Sequence, residues 1–263
     1  MNHERQLLEA LQQPGAYPVF VTGAGISVAS GIAPFRGTDD AVWAKDVMEM
    51  ATRSFFLRKP HESWSWYLER FAKCWMAEPN PAHFAITAIE SKLKGRGDNF
   101  TLVTQNIDGL HVKAGTQDMI ECHGSARHIR CTNINCVNGP PRGLMDWSEE
   151  HVEVFRVNPT HARTPRCPEC NKFLRPHVLW FDESYSDHDA YGMDRIDTLM
   201  NEMTVLIFVG TSFSVTITDL FMTAAYQEAV PMFMVDPTDE CVDEIAHIKR
   251  KAEVFLPLLA SGL

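Results

Sequence analysis

The chain has no apolar run approaching the roughly 20 residues that a helical membrane span requires, so no such span is expected. Positive charge is also in short supply: 24 Lys and Arg stand against 34 Asp and Glu, a formal net charge of −10. That balance argues against general nucleic-acid binding and favours basic partners such as lysine-bearing protein surfaces. Residues 1–13 carry Glu4 and Glu9 and show neither a secretory apolar core nor an acid-free Arg/Ser-rich pattern, so a cytoplasmic location is expected. No internal repeat or low-complexity tract stands out. The chain does have bulk: 263 residues at 45% hydrophobic content suffice for one large domain or two modest ones.

Hydrophobic patterning sets out the elements. Residues 3–13 predict a helix with Leu7, Leu8 and Leu11 on one face, ended by Pro14-Gly15. Residues 40–76 are helical in character, and Trp43, Phe55, Phe56, Trp64, Trp66 and Phe71 there read chiefly as core. A further helix is predicted over 83–93, and apolar runs at 19–21, 100–104, 205–209 and 232–235 read as buried strands. Strands alternating with helices imply an α/β fold with a mostly parallel sheet covered on both faces. Ligands in such folds sit beyond the carboxyl ends of the strands. The Gly23-Ala24-Gly25 turn, the segment after Val103 and Gly210-Thr211-Ser212 all fall there.

Glycine at 23 and 25 permits a tight turn and close backbone approach to a ligand. The amides of the next segment would face an anion such as a pyrophosphate, with Arg36 as an added cation. Alone, such a turn serves a dinucleotide or a plain chain reversal equally well. Its distant companions are Thr104-Gln-Asn-Ile-Asp-Gly-Leu-His111, Glu121-Cys-His-Gly124, Arg175-Pro-His-Val-Leu-Trp-Phe-Asp-Glu183 and Val209-Gly-Thr-Ser212. Between them lie Cys131-x4-Cys136 and Cys167-x2-Cys170, whose four thiolates suit a closed tetrahedral zinc in a chain expected to be cytoplasmic. In this order the motifs resemble the sirtuin family of NAD-dependent protein deacylases, over residues 19–259.

The resemblance implies a Rossmann-like, doubly wound parallel sheet with a smaller zinc-ribbon and helical domain. Residues 1–36, 95–125 and 200–263 would form the discontinuous NAD-binding domain, 37–94 the cofactor loop and helical part, and 126–180 the zinc-binding part. NAD would be consumed, and one structural zinc bound. The cofactor-binding set is Gly23, Ala24, Gly25, Ser27, Phe35, Arg36, Gln105, Asn106, Ile107, Asp108, His123, Gly210, Thr211, Ser212, Asp236 and Ala252. The acyl-lysine oxygen would attack the ribose carbon that carries nicotinamide. His123 would then act as general base on a ribose hydroxyl, with Asn106 and Asp108 as the other catalytic residues. Lysine and an O-acyl-ADP-ribose would be released. An acyl-lysine protein or peptide is the expected partner, on a monomeric enzyme. Its backbone would lie extended between the domains and add to Val178–Trp180 and to a segment near Thr211–Val215, with Phe181 also in the substrate-binding set. Cys122, Cys74 and Cys241 read as packing, His111 as support for a strand end, and His177 as an exposed residue.

Four departures from the family pattern stand out. Ala33 precedes Pro34, Asp182 replaces a glycine beside the acyl channel, a proline near Thr216-Ile217-Thr218 is missing, and Asp236 replaces an asparagine. Ala51, Tyr67 and Arg70 match the small residue and Tyr-x-x-Arg of sirtuins that bind acidic acyl chains, so succinyl- or malonyl-lysine is expected to be processed at least as well as acetyl-lysine. The same scaffold also admits two other outcomes: ADP-ribosyl transfer or NAD hydrolysis, and a non-catalytic NAD sensor.

Overall fold

The computed structural model describes residues 2–33, 48–239 and 242–263. Its strands are β1 (Pro18–Thr22), β2 (Thr101–Thr104), β3 (Met119–Glu121), β4 (Gly124–Cys131), β5 (Met145–Asp146), β6 (Leu174–Val178), β7 (Val205–Val209), β8 (Met232–Val235) and β9 (Ala246–Ile248). Six of them form one parallel sheet in the order β3-β2-β1-β7-β8-β9. The chain winds outward from β1 on one side and returns as β7 on the other. The order therefore reverses between β1 and β7, which in doubly wound sheets is where the ligand crevice opens.

The pleat sorts side chains onto two cores. Phe20, Leu102, Ile207 and Phe233 meet the helices His3–Gln12, Pro81–Gly95 and Ala252–Gly262 on one face. Val19, Val21, Val103 and Phe208 meet the helices Met193–Glu202 and Thr216–Gln227 on the other. Full burial of β1 and β7 accounts for their unbroken apolar sequence.

A third core belongs to a small antiparallel sheet, β5-β4-β6. Ile129, Leu174 and Val178 pack there against Phe56, Trp64, Tyr67 and Phe71. These aromatics come from Arg53–Arg58 and Pro60–Met76, helices divided because Pro60 opens the second at its first position. Phe55 is buried as expected and Trp66 only half-buried, while Trp43 lies outside the described residues. Hydrophobic patterning does not announce this sheet. Arg130, Arg175 and His177 are all buried in β4 and β6, and they hide the strand signature. His177, expected to be exposed, is covered because its ring stacks on Tyr191 at 4.9 Å.

Candidate active site

At the β1/β7 crossing the glycines have a more immediate task than ligand approach. A Cβ on Gly23 would lie 2.7 Å from the Gly210 carbonyl oxygen, and one on Gly25 2.6 Å from Gly210 Cα. The amides of Gly23 and Gly25 donate to Val209 O (3.0 Å) and Gly210 O (2.8 Å). The turn is thus welded to the neighbouring loop, and these two N–H groups do not face an anion. The chain continues as a 3-10 segment, Ala24–Ser30, in place of an α-helix. Its Ile26 shares a core with Ala252 at the start of the last helix. Phe35 and Arg36 lie outside the described residues.

The segment after β2 turns its polar side chains into this crevice. Gln105 N donates to Thr22 O (2.9 Å), and Gln105 Nε2 reaches Thr211 Oγ1 (3.1 Å). Asn106 Nδ2 donates to Gly23 O (3.0 Å), and Ser27 Oγ donates to Asp108 Oδ2 (2.7 Å). Asp108 Oδ1 accepts from Leu110 N (2.9 Å). Burial raises the Asp108 pKa, a shift that the Leu110 amide and the Ser27 hydroxyl partly oppose. Below this network His111 Nε2 meets Thr22 Oγ1 at 3.1 Å, which gives it the expected role of tying strand ends together. Ile107 contributes backbone: its carbonyl accepts from Ala126 N. Ser212 pairs with Ser214, and Asp236 Oδ1 accepts from the amide and hydroxyl of Thr238.

His123 sits where β3 passes into β4. Its Nδ1 lies 3.0 Å from Gln105 O. A carbonyl oxygen only accepts, so the ring proton resides on Nδ1 and Nε2 keeps the basic lone pair. Burial pushes the imidazole down to about 4, so it is neutral at pH 7. Gly124 makes the crossing possible: its φ is +82°, and a Cβ there would collide with His177 O. Nε2 faces the Tyr185 hydroxyl at 2.9 Å. Nothing in the sequence flags Tyr185, a single aromatic in a Ser/Asp loop.

The strand that leads away from the site is more occupied than expected. Leu179 N donates to His123 O, Trp180 N to Glu183 Oε2, and Glu183 N to Trp180 O. The Val178 carbonyl accepts from Arg175. A peptide adding to residues 178–180 therefore finds most of that backbone already paired. Asp182 is explained by its partners: its carboxylate accepts the amides of Arg53 (2.6 Å) and Ser54 (3.0 Å) at the start of a helix. Burial tends to raise its pKa, but those amides more than offset this and hold it below the usual range. Its charge caps a helix. Phe181 N donates to Ala51 O, which ties the same helix start to this strand. Tyr67 is buried, its hydroxyl accepting from Trp180 Nε1 at 2.7 Å. Arg70 folds back over the Trp66 ring, 3.4 Å from its centroid, and burial lowers its pKa to about 10.

Cys131, Cys136, Cys167 and Cys170 place their sulfurs within 4.8 Å of one another. Cys131 and Cys170 lie 3.4 Å apart, and Cys136 and Cys167 3.6 Å, too far for a disulfide. Four thiolates around zinc at about 2.3 Å stand roughly 3.8 Å from one another, so the donor set fits a structural zinc. Asn133 N and Asn138 Nδ2 point at Cys131 and Cys167 Sγ, as suits thiolates. The wider Cys-x4-Cys spacing is taken up by a turn in which Asn133 O and Oδ1 accept from Cys136 N and Asn135 N. Cys122 is buried with its thiol against Thr104 O, and Cys74 is buried in the third core; Cys241 lies outside the described residues.

The Sir2 family model matches residues 23–217. The chain belongs to the Sir2 family. A Dictyostelium discoideum relative named NAD-dependent deacetylase sir2E is 33% identical over 260 residues, covering 93% of this chain and 73% of the relative. An Aquifex aeolicus NAD-dependent protein deacylase is 35% identical over 241 residues, covering 90% and 91%. A Xenopus tropicalis protein named NAD-dependent protein deacylase sirtuin-5, mitochondrial, is 31% identical over 247 residues, covering 90% and 79%. Among solved structures, the crystal structure of a Sir2 homologue–NAD complex superposes with a TM-score of 0.79 at 30% identity, over 98% of this Sir2-family chain and 92% of that one. Among the described residues no helix is long and apolar enough to cross a membrane.

Proposed function

We propose that this Sir2-family chain removes acyl groups from protein lysines with consumption of NAD, using His123 as general base. The observation that carries the reading is the His123 ring itself. Gln105 O fixes its tautomer, and this leaves an unprotonated Nε2 at the edge that holds Asn106, Asp108 and Ser27. NAD supplies the electrophilic ribose carbon that accepts the acyl oxygen and loses nicotinamide. The protein's part is to hold and to exchange protons. Asn106 and Asp108 belong to one buried network anchored on Ser27 and Gly23, so their positions are set before a ligand arrives. Gln105 and Thr211 bridge the loops after β2 and β7, and His123 Nε2 takes the proton of a ribose hydroxyl.

For the acyl group, we infer a pocket bounded by Ala51, Tyr67 and Trp180, which pack in one cluster, with Arg70 at its rim. A guanidinium half-withdrawn from water gains from a carboxylate, which favours succinyl- or malonyl-lysine. Asp182 does not oppose this, because its charge is engaged by a helix start. Mass spectrometry of the products from NAD and a panel of acyl-lysine peptides tests the reaction. O-acyl-ADP-ribose with free lysine supports it, and ADP-ribose on protein refutes it. His123→Ala should lower turnover by about two to four orders of magnitude. The succinyl/acetyl ratio of kcat/KM should fall in Arg70→Met, and an unchanged ratio removes the acidic pocket.

A further inference from the structure

Tyr185 and His123 are in contact through the one atom that general-base chemistry requires. The phenol oxygen lies 2.9 Å from Nε2, and the rings stack with centroids 5.8 Å apart at 28°. Because Nδ1 carries the ring proton, the phenol must be the donor and the Nε2 lone pair the acceptor. An imidazole nitrogen has a single in-plane lone pair. A ribose hydroxyl delivering its proton to His123 needs that same pair, so the two contacts exclude one another.

The turn that carries Tyr185 is held on both sides. Upstream, Asp182 caps the helix Arg53–Arg58, and Glu183 is bound by the buried Arg175 and Arg130. Across the turn, Ser184 and Asp187 satisfy each other's backbone in a reciprocal cap.

We propose that Tyr185 is a positioning residue for the general base, resting on the His123 assignment above. It keeps the Nδ1–H tautomer and reserves Nε2 until a ribose hydroxyl displaces the phenol by side-chain rotation. The nucleotide therefore binds against the loss of one hydrogen bond. A donor to Nε2 stabilises the neutral ring, which adds to the effect of burial on His123. Cys122, the other titratable group described against this pair, is buried with its thiol pushed up and stays neutral.

Tyr185→Phe keeps the ring and removes only the donor. NAD should bind about two- to ten-fold tighter by calorimetry, the worth of one neutral hydrogen bond. The acid limb of kcat/KM should move to higher pH, and the His123 imidazole, followed by NMR in the free protein, should titrate higher. Unchanged NAD affinity together with an unmoved His123 titration overturns the proposal. So does a ten-fold fall in kcat at unchanged affinity, which would make Tyr185 a proton relay. The imidazole titration reads the contact whether or not His123 is the base. Full turnover in His123→Ala removes the base assignment separately.

Discussion

Glu183→Gln tests whether a buried charge cluster holds the substrate-side strand in place. Glu183 and Arg175 side chains are each 5% exposed and Arg130 is 3% exposed, with Glu183 paired to Arg175 through both oxygens and 3.6 Å from Arg130. No other carboxylate makes an ion pair with either arginine among the described residues. Glutamine keeps the shape and one acceptor oxygen, which can still serve Trp180 N, but removes the charge and turns the other oxygen into a donor that faces Arg175. Two guanidiniums then remain in the interior without an anion, a change that costs about 3–5 kcal/mol. For a chain of this size each kcal/mol moves Tm by about 2–4 °C, so a fall of roughly 6–20 °C is expected. The assay is denaturant unfolding followed by tryptophan fluorescence, with calorimetry for Tm. Asp118→Asn is the control: its partners Arg195 and Lys94 are more exposed, so a loss of at most about 1 kcal/mol is expected. If Glu183→Gln costs no more than the control, water reaches the cluster and the reasoning fails.

Cys167→Ser should lose zinc and soluble fold together, checked by metal analysis of protein purified without chelator. Gly124→Ala combines a left-handed backbone with a clash against His177 O, and should cost about 2–5 kcal/mol in urea unfolding while abolishing deacylation. Acid should destabilise the fold through His177, which burial first, then His188, Arg130 and Arg175, hold down to about 2. Its folded pKa lies below the unfolded value near 6.5, so the unfolded chain binds more protons as pH falls below that value. Stability should therefore be fully present above about pH 6.5 and fall below it by up to about 1.4 kcal/mol per pH unit. His177→Asn should reduce that slope in urea midpoints measured between pH 7 and 5 by up to about 1.4 kcal/mol per pH unit, while the buried His83, His111 and His123 keep the remainder.

Where side chains follow the polarity rule, the fold was legible. Val19, Val21, Val205 to Val209 and Met232 to Val235 are buried strands, and an apolar run needs no tertiary context to say so. The helix expected over 83–93 extends to Pro81–Gly95 because Asn80 caps it and Pro81 opens it. The edge strands β3 and β9 are three residues each, too short for any period to register. β4 and β6 bury arginines and a histidine, so a pattern based on hydrophobicity reads them as surface. Their burial is tolerable only because Glu183, from a different segment, supplies the counter-charge. The required information is pairwise and non-local.

The site shows the same division, and the glycines make the reason plain. Motif order pointed to Gly23, Gly25 and Gly210, but the close approach they permit is between two loops of the protein itself. Fixing those loops against each other places Gln105 and Asn106 by hydrogen bonds to Thr211 and Gly23, and Gln105 O then orients His123. The chain of positioning thus runs from backbone packing to the tautomer of one ring. Asp182, which reads as an intruding charge beside the acyl channel, belongs to this chain as well. By capping the helix Arg53–Arg58 it ties Ala51 to Phe181, one residue from Trp180 and four from Tyr185. A substitution that looks like a change of substrate entry is therefore a change in how the turn carrying Tyr185 is anchored.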